Sequence, residues 1–213
     1  MTPNEYWLLH SVVDQKHSLS LLTMENVEAL FDRPNHGMDR AALIAALARL
    51  FEQGLLIASN DERGDFVPNA DDTAAALDGT LDADYGLTPA GGAAWEEVSK
   101  PDWNRYVDGM FGADSQEDFD SLRRERAGEF CCADREHLQK FMDSLIFRGI
   151  APHEPSCKWD ELAPWQALYW KELPSAHRVR FIGVGAPVWP EDKIPEEFRG
   201  MGMWYTPAEF EDE

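Results

Sequence analysis

Five cysteine and histidine side chains in the second half of the chain are of the types that bind zinc. They are Cys131, Cys132, His137, His153 and Cys157. Structural zinc sites usually draw on cysteine or histidine pairs separated by a few residues. Adjacent cysteines on a strand point to opposite faces, and only His153 and Cys157 have a spacing that suits a shared site. We therefore expect neither a metal nor another cofactor, and these five residues are the ligands to consider if a metal binds.

Asp134 and His137 lie three residues apart, beside the adjacent cysteines. A carboxylate–histidine pair can act in acid–base catalysis, and a helix N-terminus can lower the pKa of a nucleophilic cysteine. Capping of a helix by Asp134 and simple exposure of His137 explain the same residues without chemistry. The chain also lacks a complete dinucleotide-binding glycine motif, a Walker lysine, a Gly-x-Ser-x-Gly elbow and a His-Glu-x-x-His motif. We therefore assign no catalytic residue and favour a non-enzymatic protein.

Negative charge dominates the composition. The 213 residues include 19 lysines and arginines against 40 aspartates and glutamates, for a formal net charge of -21. Such a field repels polyphosphates and anionic membranes and speeds encounter with cationic partners, although surplus charge also serves solubility alone. We expect a basic protein as the partner, and neither nucleic acid nor a membrane.

The sequence predicts a cytoplasmic location. No run of about 18 apolar residues is present, and the N-terminal MTPNEYWLLHS lacks the features of a signal peptide. The three cysteines are an odd number and include an adjacent pair, which suits reduced thiols better than a disulfide framework.

Hydrophobic spacing divides the chain near residue 100. In residues 1–100 it predicts three helices, a two-stranded ribbon and a fourth helix. Asp39 is expected to cap the third helix and Gly54 to end it, while Thr88 caps the fourth helix with Pro89 at its first position. Gly91 and Gly92 are expected to let this fourth helix approach another backbone closely. The apolar positions that define the first three helices are Tyr6, Leu9 and Val13; Met24, Val27, Leu30 and Phe31; and Leu43, Ile44, Leu47, Leu50 and Phe51.

The ribbon is assigned to Leu55–Ile57 and Tyr85–Leu87, followed by the stretch YGLTPAGGAAWEE. The Leu-x-x-Leu-x-x-x-Gly-Leu exit from the third helix and the Leu-Thr-x-x-Gly closure of the ribbon resemble the winged helix-turn-helix domain of MarR-like and PadR-like regulators. The residues that carry this resemblance are Leu47, Leu50, Gly54 and Leu55, and Leu87, Thr88 and Gly91. The resemblance covers less than half of the chain and implies the scaffold, since unrelated proteins use it for protein contacts.

In such regulators the third helix enters the major groove of DNA and presents polar and basic residues there. Here its outer face is largely alanine, and the segment between the ribbon strands holds many acids against Arg63 alone. Acids near phosphate oppose the counterion release that drives nonspecific binding. We therefore expect a wing that does not bind DNA, with partner-contacting acids at Asp61, Glu62, Asp65, Asp71 and Asp72. The stretch from Asn69 through Thr73 and the alanines that follow is either an extra helical turn or a solvated, poorly ordered loop, and we favour the loop.

Residues 101–213 are expected to form a small α+β domain with an extended acidic tail. Trp103, Tyr106, Val107, Met110 and Phe111 recur at helical spacing. A strand at Gly128–Ala133 is then followed by a helix that Asp134 caps and Gly149 ends, with Leu138, Phe141, Met142, Leu145 and Ile146 facing the core. Trp165–Leu173 and His177–Val184 are assigned to a hairpin, with a helix over Trp159–Trp170 as the alternative.

The fold class predicted from these elements is α+β, with an N-terminal winged-helix-like domain packed against the small α+β domain. Three aromatic residues near the C-terminus, Trp189, Trp204 and Tyr205, are further candidate partner-binding residues, because aromatic side chains give large contact areas with few rotatable bonds. The favoured function is an acidic protein-binding protein, such as a bacterial immunity or inhibitor protein or a nucleic-acid mimic. The alternatives are a winged-helix transcription regulator with a ligand-sensing C-terminal domain, and an unfamiliar enzyme with its site in the C-terminal half.

Overall fold

The computed structural model describes residues 1–112, 125–185 and 194–208. Within these ranges the chain forms α-helices and antiparallel sheets, which confirms the predicted α+β class. The chain divides into two compact units. The first comprises Met1–Lys100, Leu168–Lys171 and Pro207–Glu213, and the second comprises Pro101–Ala167 and Glu172–Thr206. No helix in the described ranges is both long and apolar enough to cross a membrane.

The first unit contains helices and one sheet. The helices are α1 (Pro3–His10), α2 (Val27–Phe31), α3 (Arg40–Glu52), α4 (Ala70–Leu77) and α5 (Pro89–Ser99), with a 3-10 turn at Leu19–Thr23. Four short strands accompany them, β1 (His17–Ser18), β2 (Leu56–Asn60), β3 (Gly64–Phe66) and β4 (Asp84–Leu87). They form one antiparallel sheet in the order β1-β4-β2-β3.

Local capping signals set the helix starts in this unit. The Asp39 side chain accepts a hydrogen bond from the Ala42 N–H, and Thr88 accepts one from the Gly91 N–H with Pro89 in the first turn of α5. Both caps confirm the sequence predictions. Gly54 has a φ of +67°, a left-handed conformation that suits glycine after a helix end. The α3 stripe is also confirmed, with Leu43, Leu47, Leu50 and Phe51 buried.

Helices α2 and α4 depart from the predictions. The second helix is only five residues long, and Met24 and Leu30 of its predicted stripe are exposed. The favoured loop at residues 69–77 was wrong, because α4 begins in a capping box: Asn69 accepts from the Asp72 N–H, and the Asp72 carboxylate accepts from the Asn69 N–H. Thr73, Ala76 and Leu77 are buried, so small residues give α4 its packing face.

The second unit is built on a five-stranded antiparallel sheet. Its strands are β5 (Val107–Phe111), β6 (Glu125–Cys132), β7 (Ala151–Pro152), β8 (Lys158–Leu162) and β11 (Ala176–Val184). The order is β5-β6-β11-β7, and β8 also pairs with β11. Helix α6 (Arg135–Phe147) covers one face, where it packs on Phe130, Val179 and Phe181, and 3-10 turns lie at Glu154–Ser156 and Glu196–Phe198.

The Asp134 cap and the strand before it are confirmed, because Asp134 accepts from the His137 N–H at the start of α6. Gly149 follows the helix with a φ of +83°. The predicted burial of Ile146 in the α6 core is wrong, since 61% of its surface is exposed.

Two other assignments in this unit were wrong. Residues Val107–Phe111 form a strand rather than a helix. The helical spacing was coincidental, because Trp103 and Tyr106 lie outside the strand in an aromatic cluster with Trp204. The predicted hairpin between Trp165–Leu173 and His177–Val184 is also wrong, and so is the alternative helix over Trp159–Trp170. Strands β9 (Trp165–Leu168) and β10 (Lys171–Leu173) pair with each other, whereas β11 pairs with β6, β7 and β8.

Candidate functional site

We use the name acidic wing for the five acids predicted to contact a partner, which lie on the β2–β3 hairpin and at the start of α4: Asp61, Glu62, Asp65, Asp71 and Asp72. Two of these acids are paired. Asp65 lies 3.3 Å from the Lys16 ammonium, and Asp72 lies 3.1 Å from the Arg63 guanidinium while also closing the capping box of α4. These two carboxylates therefore have local structural roles that exposure alone would not reveal.

The other three acids of the acidic wing, Asp61, Glu62 and Asp71, are exposed. None of them forms an ion pair with any residue in the described ranges. Asp71 stands in the first turn of α4, where the positive end of the helix dipole favours a carboxylate. The acidic wing thus presents three uncompensated negative charges to the solvent.

Helix α3 carries no free positive charge that would complement phosphate. Arg40 lies 2.8 Å from Asp78, and Arg49 lies 3.2 Å from Glu5. The hydrogen bond from the Thr2 N–H and, to a smaller extent, the charge of Arg49 lower the pKa of Glu5 despite its partial burial. The other exposed residues of α3 are Ala41, Ala42 and Ala45, which are small and apolar, and the acidic Glu52.

The aromatic candidates lie in different environments. Trp204 is only 8% exposed, and its ring lies 4.9 Å from Trp103 and 4.7 Å from Tyr106, measured between centroids. Tyr205 stacks edge-on against Trp204 and is half-buried. Trp189 lies outside the described residues. Trp204 therefore contributes to the packing of the second unit and offers little surface to a partner.

The cysteines and histidines are not brought together. Cys132 lies in the core under α6, whereas Cys131 points to the opposite face of the sheet. His137 approaches the Met201 carbonyl, and the Cys157 thiol approaches the His153 backbone oxygen at 3.8 Å rather than its ring. In the described ranges, no three cysteine, histidine or acidic side chains converge as metal ligands would.

The electrostatics of the cysteines do not favour a nucleophile. Burial raises the pKa of Cys131 and of Cys132 to about 11, and the nearby carboxylates of Glu129 and Asp134 add to the shift. Burial and Glu154 also raise the pKa of Cys157. All three side chains are therefore neutral thiols near pH 7, since the reactive form is the thiolate. The Asp134 carboxylate caps α6, so the suggested acid–base pair is a helix cap.

A charged row on the open face of the second sheet was missed by sequence reasoning. Asp108, Cys131, Arg178 and Asp160 are direct neighbours across β5, β6, β11 and β8. Arg178 holds Asp160 through two hydrogen bonds of 2.8 Å, and Arg180 donates a third at 2.8 Å. These bonds to Arg178 lower the pKa of the Asp160 carboxyl. Within the row Arg178 compensates the charge of Asp160, and no signal in the sequence gives the strand register that creates this pair.

A groove beside α6 was also missed. The α6 groove has a cavity volume of about 240 Å³ and runs between α6 and the segment from β7 to β8. Its apolar lining consists of Met142, Ile146, Pro152, Cys157 and Trp159, and its polar lining consists of Gln139, Asp143 and Glu154. Ile146 belongs to the apolar stripe of α6 without being buried, and the sequence alone gives no signal of this exposure.

Two surfaces thus stand out, the acidic wing in the first unit and the α6 groove in the second. Comparison of the chain with protein-family models, with curated proteins and with solved structures gives no match.

Proposed function

We propose that this protein is a non-enzymatic binding protein whose acidic wing contacts a basic surface of another protein. The observation that carries the proposal is the state of Asp61, Glu62 and Asp71, which are exposed and have no ion-pair partner among the described residues. Exposed carboxylates without an ion-pair partner are available to a partner protein. Asp65 and Asp72 also add to the negative surface potential, but each already forms an ion pair, Asp65 with Lys16 and Asp72 with Arg63.

Electrostatics gives such a surface a defined role. Complementary charges accelerate encounter and select against like-charged partners, and exposed pairs weaken as salt shortens the Debye length to about 8 Å at physiological ionic strength. The formal charge of -21 adds a long-range field of the same sign. Binding is therefore expected to be fast and sensitive to salt.

The scaffold proposed for the first unit is a winged helix. Its support is the order of elements, in which α1, α2 and α3 precede the β2–β3–β4 sheet and α5 follows. The short α2 and the inserted α4 are departures from the simple pattern. This order also favours the second candidate, a transcription regulator, but Arg40 and Arg49 already hold Asp78 and Glu5. Few counterions would be released on DNA by a surface of this kind.

Two classes of protein would use an acidic wing in this way. A bacterial immunity or inhibitor protein would cover a cationic site on its target, and a nucleic-acid mimic would occupy a surface that otherwise holds phosphates. We place the interaction in the cytoplasm, because the three cysteines are free and fit a reducing compartment.

Affinity capture tests the proposal. The tagged protein and the variant D61N/E62Q/D71N are exposed to a nuclease-treated lysate of the organism that encodes it, at low and at high salt. The expected result is a basic protein that the parent retains at low salt and releases at high salt, and that the variant retains several-fold less.

The matched control is E25Q/E28Q/E97Q, which removes the same number of charges from exposed positions of the first unit that are not part of the acidic wing. This control should retain the captured protein as the parent does. Equal retention by the wing variant, or enrichment of no protein at low salt, would contradict the proposal. Retention that depends on intact nucleic acid in an untreated lysate would favour the transcription regulator.

A further inference from the structure

The α6 groove combines an apolar floor with an acidic rim. Met142 is 4% exposed at its base, whereas Ile146 is 61% exposed at its edge. Trp159 lines the opposite wall and is half-buried. An apolar groove of this kind leaves hydrophobic surface exposed to water, and such surfaces commonly mark binding sites.

The charged side chains that line the α6 groove have one sign. Its lining includes the carboxylates of Asp143 and Glu154, one on each wall, and no lysine or arginine is among the described residues that line it. Gln139 donates to one oxygen of Asp143 at 2.9 Å, which orients that carboxylate and leaves its second oxygen for a ligand. The carboxylates of the rim can therefore bind a cation, and the apolar floor can pack against methylene groups.

The volume limits the occupant. About 240 Å³ is below the range of roughly 300–1,000 Å³ that small-molecule and cofactor sites occupy, and it suits one long side chain. Lysine and arginine side chains have an apolar stem and a charged end, which matches floor and rim together. Arginine fits better, because its planar guanidinium offers five donors and can meet carboxylates on two walls.

We propose that the α6 groove binds an arginine side chain of the basic protein partner. The stem would lie along Met142, Ile146 and Trp159, and the guanidinium would meet Asp143 and Glu154. Arg135 of the chain already stacks over the Trp159 ring at 5.3 Å, so the carboxylates rather than the ring face hold the incoming cation. This inference rests on the proposed function only for the nature of the partner, and it does not use the acidic wing.

Cys157 provides a reporter inside the α6 groove. Its thiol lines the cavity and is half-buried, whereas Cys131 and Cys132 are buried outside it. Alkylation by iodoacetamide, a neutral reagent, is followed at each cysteine by mass spectrometry of peptides. The probes are Nα-acetyl-arginine methylamide and its neutral isostere Nα-acetyl-citrulline methylamide at equal concentration. Unchanged Cys131 and Cys132 in each sample show that the chain stays folded.

The arginine probe should slow alkylation of Cys157, by about twofold at a concentration equal to its dissociation constant, because half of the grooves are then occupied. The citrulline probe should have little effect. In the variant D143N/E154Q, which retains hydrogen-bond acceptors but loses both charges, the protection by arginine should disappear. The control E136Q/E172Q removes two exposed charges outside the groove and should be protected like the parent.

Each other outcome overturns the proposal. Equal protection by arginine and citrulline would mean that shape alone governs binding, and protection that persists in D143N/E154Q would remove the role of the carboxylates. Protection by cadaverine but not by the arginine probe would identify a free diamine as the ligand. Absence of any protection would exclude an arginine site, and this result would leave the capture experiment on the acidic wing unaffected.

Discussion

Gly91 of α5 lies so close to Leu55 that a Cβ atom at position 91 would stand 1.9 Å from the Leu55 carbonyl oxygen. The same oxygen accepts a hydrogen bond of 3.1 Å from the Thr88 N–H, and the Thr88 hydroxyl donates to the Gly54 carbonyl at 2.6 Å. The contact is between backbones, so no side-chain rotation can relieve it. Helix α5 is therefore held against the start of β2 by a position that only glycine fits.

Replacement of Gly91 by alanine is expected to destabilise the protein by about 2 kcal/mol or more. Alanine favours a helix over glycine by about 1 kcal/mol, but forcing extra atoms into a packed interior typically costs about 1–3 kcal/mol, and here the obstacle is backbone. Urea unfolding followed by far-ultraviolet circular dichroism measures the change. Gly202→Ala is the control, because no atom lies within 4 Å of an added Cβ there. Equal stability of the two variants would contradict the close approach.

Tyr169→Phe is expected to lower the free energy of unfolding by about 1–2 kcal/mol. The Tyr169 hydroxyl donates to the Val12 carbonyl and accepts from the Leu87 N–H, both at 2.6 Å, so its removal leaves two backbone groups without this partner. Tyr85→Phe is the comparison. It removes only the bond to Ser11, whose hydroxyl still donates to the Leu8 carbonyl. Equilibrium unfolding should show the larger loss for Tyr169→Phe, and the reverse order would contradict this assignment.

The free energy of unfolding is expected to fall as the pH drops below 6.5, in part because of His10. Burial, with a smaller contribution from the charge of Arg33, lowers the pKa of His10 from 6.5 to about 3 in the folded chain. Between these values the unfolded chain binds a proton that the folded chain does not, so the stability present above pH 6.5 is lost as the pH falls. The His10 Nδ1 accepts a hydrogen bond of 3.0 Å from the Trp95 indole, and protonation of Nδ1 would break it.

His10→Asn isolates this contribution, since the asparagine oxygen can replace Nδ1 as the acceptor without titrating. From pH 7 to pH 5 the parent should lose about 2 kcal/mol more than the variant. Urea unfolding at several pH values provides the measurement. Parallel pH profiles for parent and variant would show that His10 is charged or accessible in the folded protein.

Thiol labelling of the folded protein is expected to occur at Cys157 alone. Cys131 and Cys132 are buried, and burial raises the pKa of each to about 11, so both the access of a reagent and the thiolate fraction are low. Cys157 also has a raised pKa but is half-buried in an open groove. N-ethylmaleimide at pH 8 should label one cysteine per native chain and three in denaturant. Fast labelling of Cys131 in the native state would contradict the described packing.

Sequence reasoning located the helix starts because their signals are local. Asp39, Thr88 and Asp134 each accept from a backbone N–H three residues ahead, so a single short window contains both partners. The pairing of β11 with β6 and β8 depends on partners far along the chain, and no local pattern encodes that choice. Helical spacing from Trp103 to Phe111 misled for the same reason, since tertiary packing fixed those aromatic positions.

The candidate surfaces show the same division. Composition was sufficient to find the acids of the wing, but it could not show that Asp65 meets Lys16, which lies 49 residues away. It could not separate these paired acids from Asp61, Glu62 and Asp71. Prediction of the α6 groove would require knowing that the turn at Glu154 lies opposite Asp143, which is a tertiary relationship.

The short segment Leu168–Lys171 makes the first unit depend on parts of the chain that lie far apart in sequence, so these parts must be inherited together. It belongs to the first unit, although both of its neighbours in sequence belong to the second. There the Trp170 indole donates to the Val13 carbonyl at 2.8 Å, and its ring fills the space that a side chain at Gly92 would need. A fragment that ends at Lys100 would lack the Trp170 indole donor and would expose the surface that the Trp170 ring covers. The units therefore cannot be exchanged as separate cassettes by recombination at a single boundary.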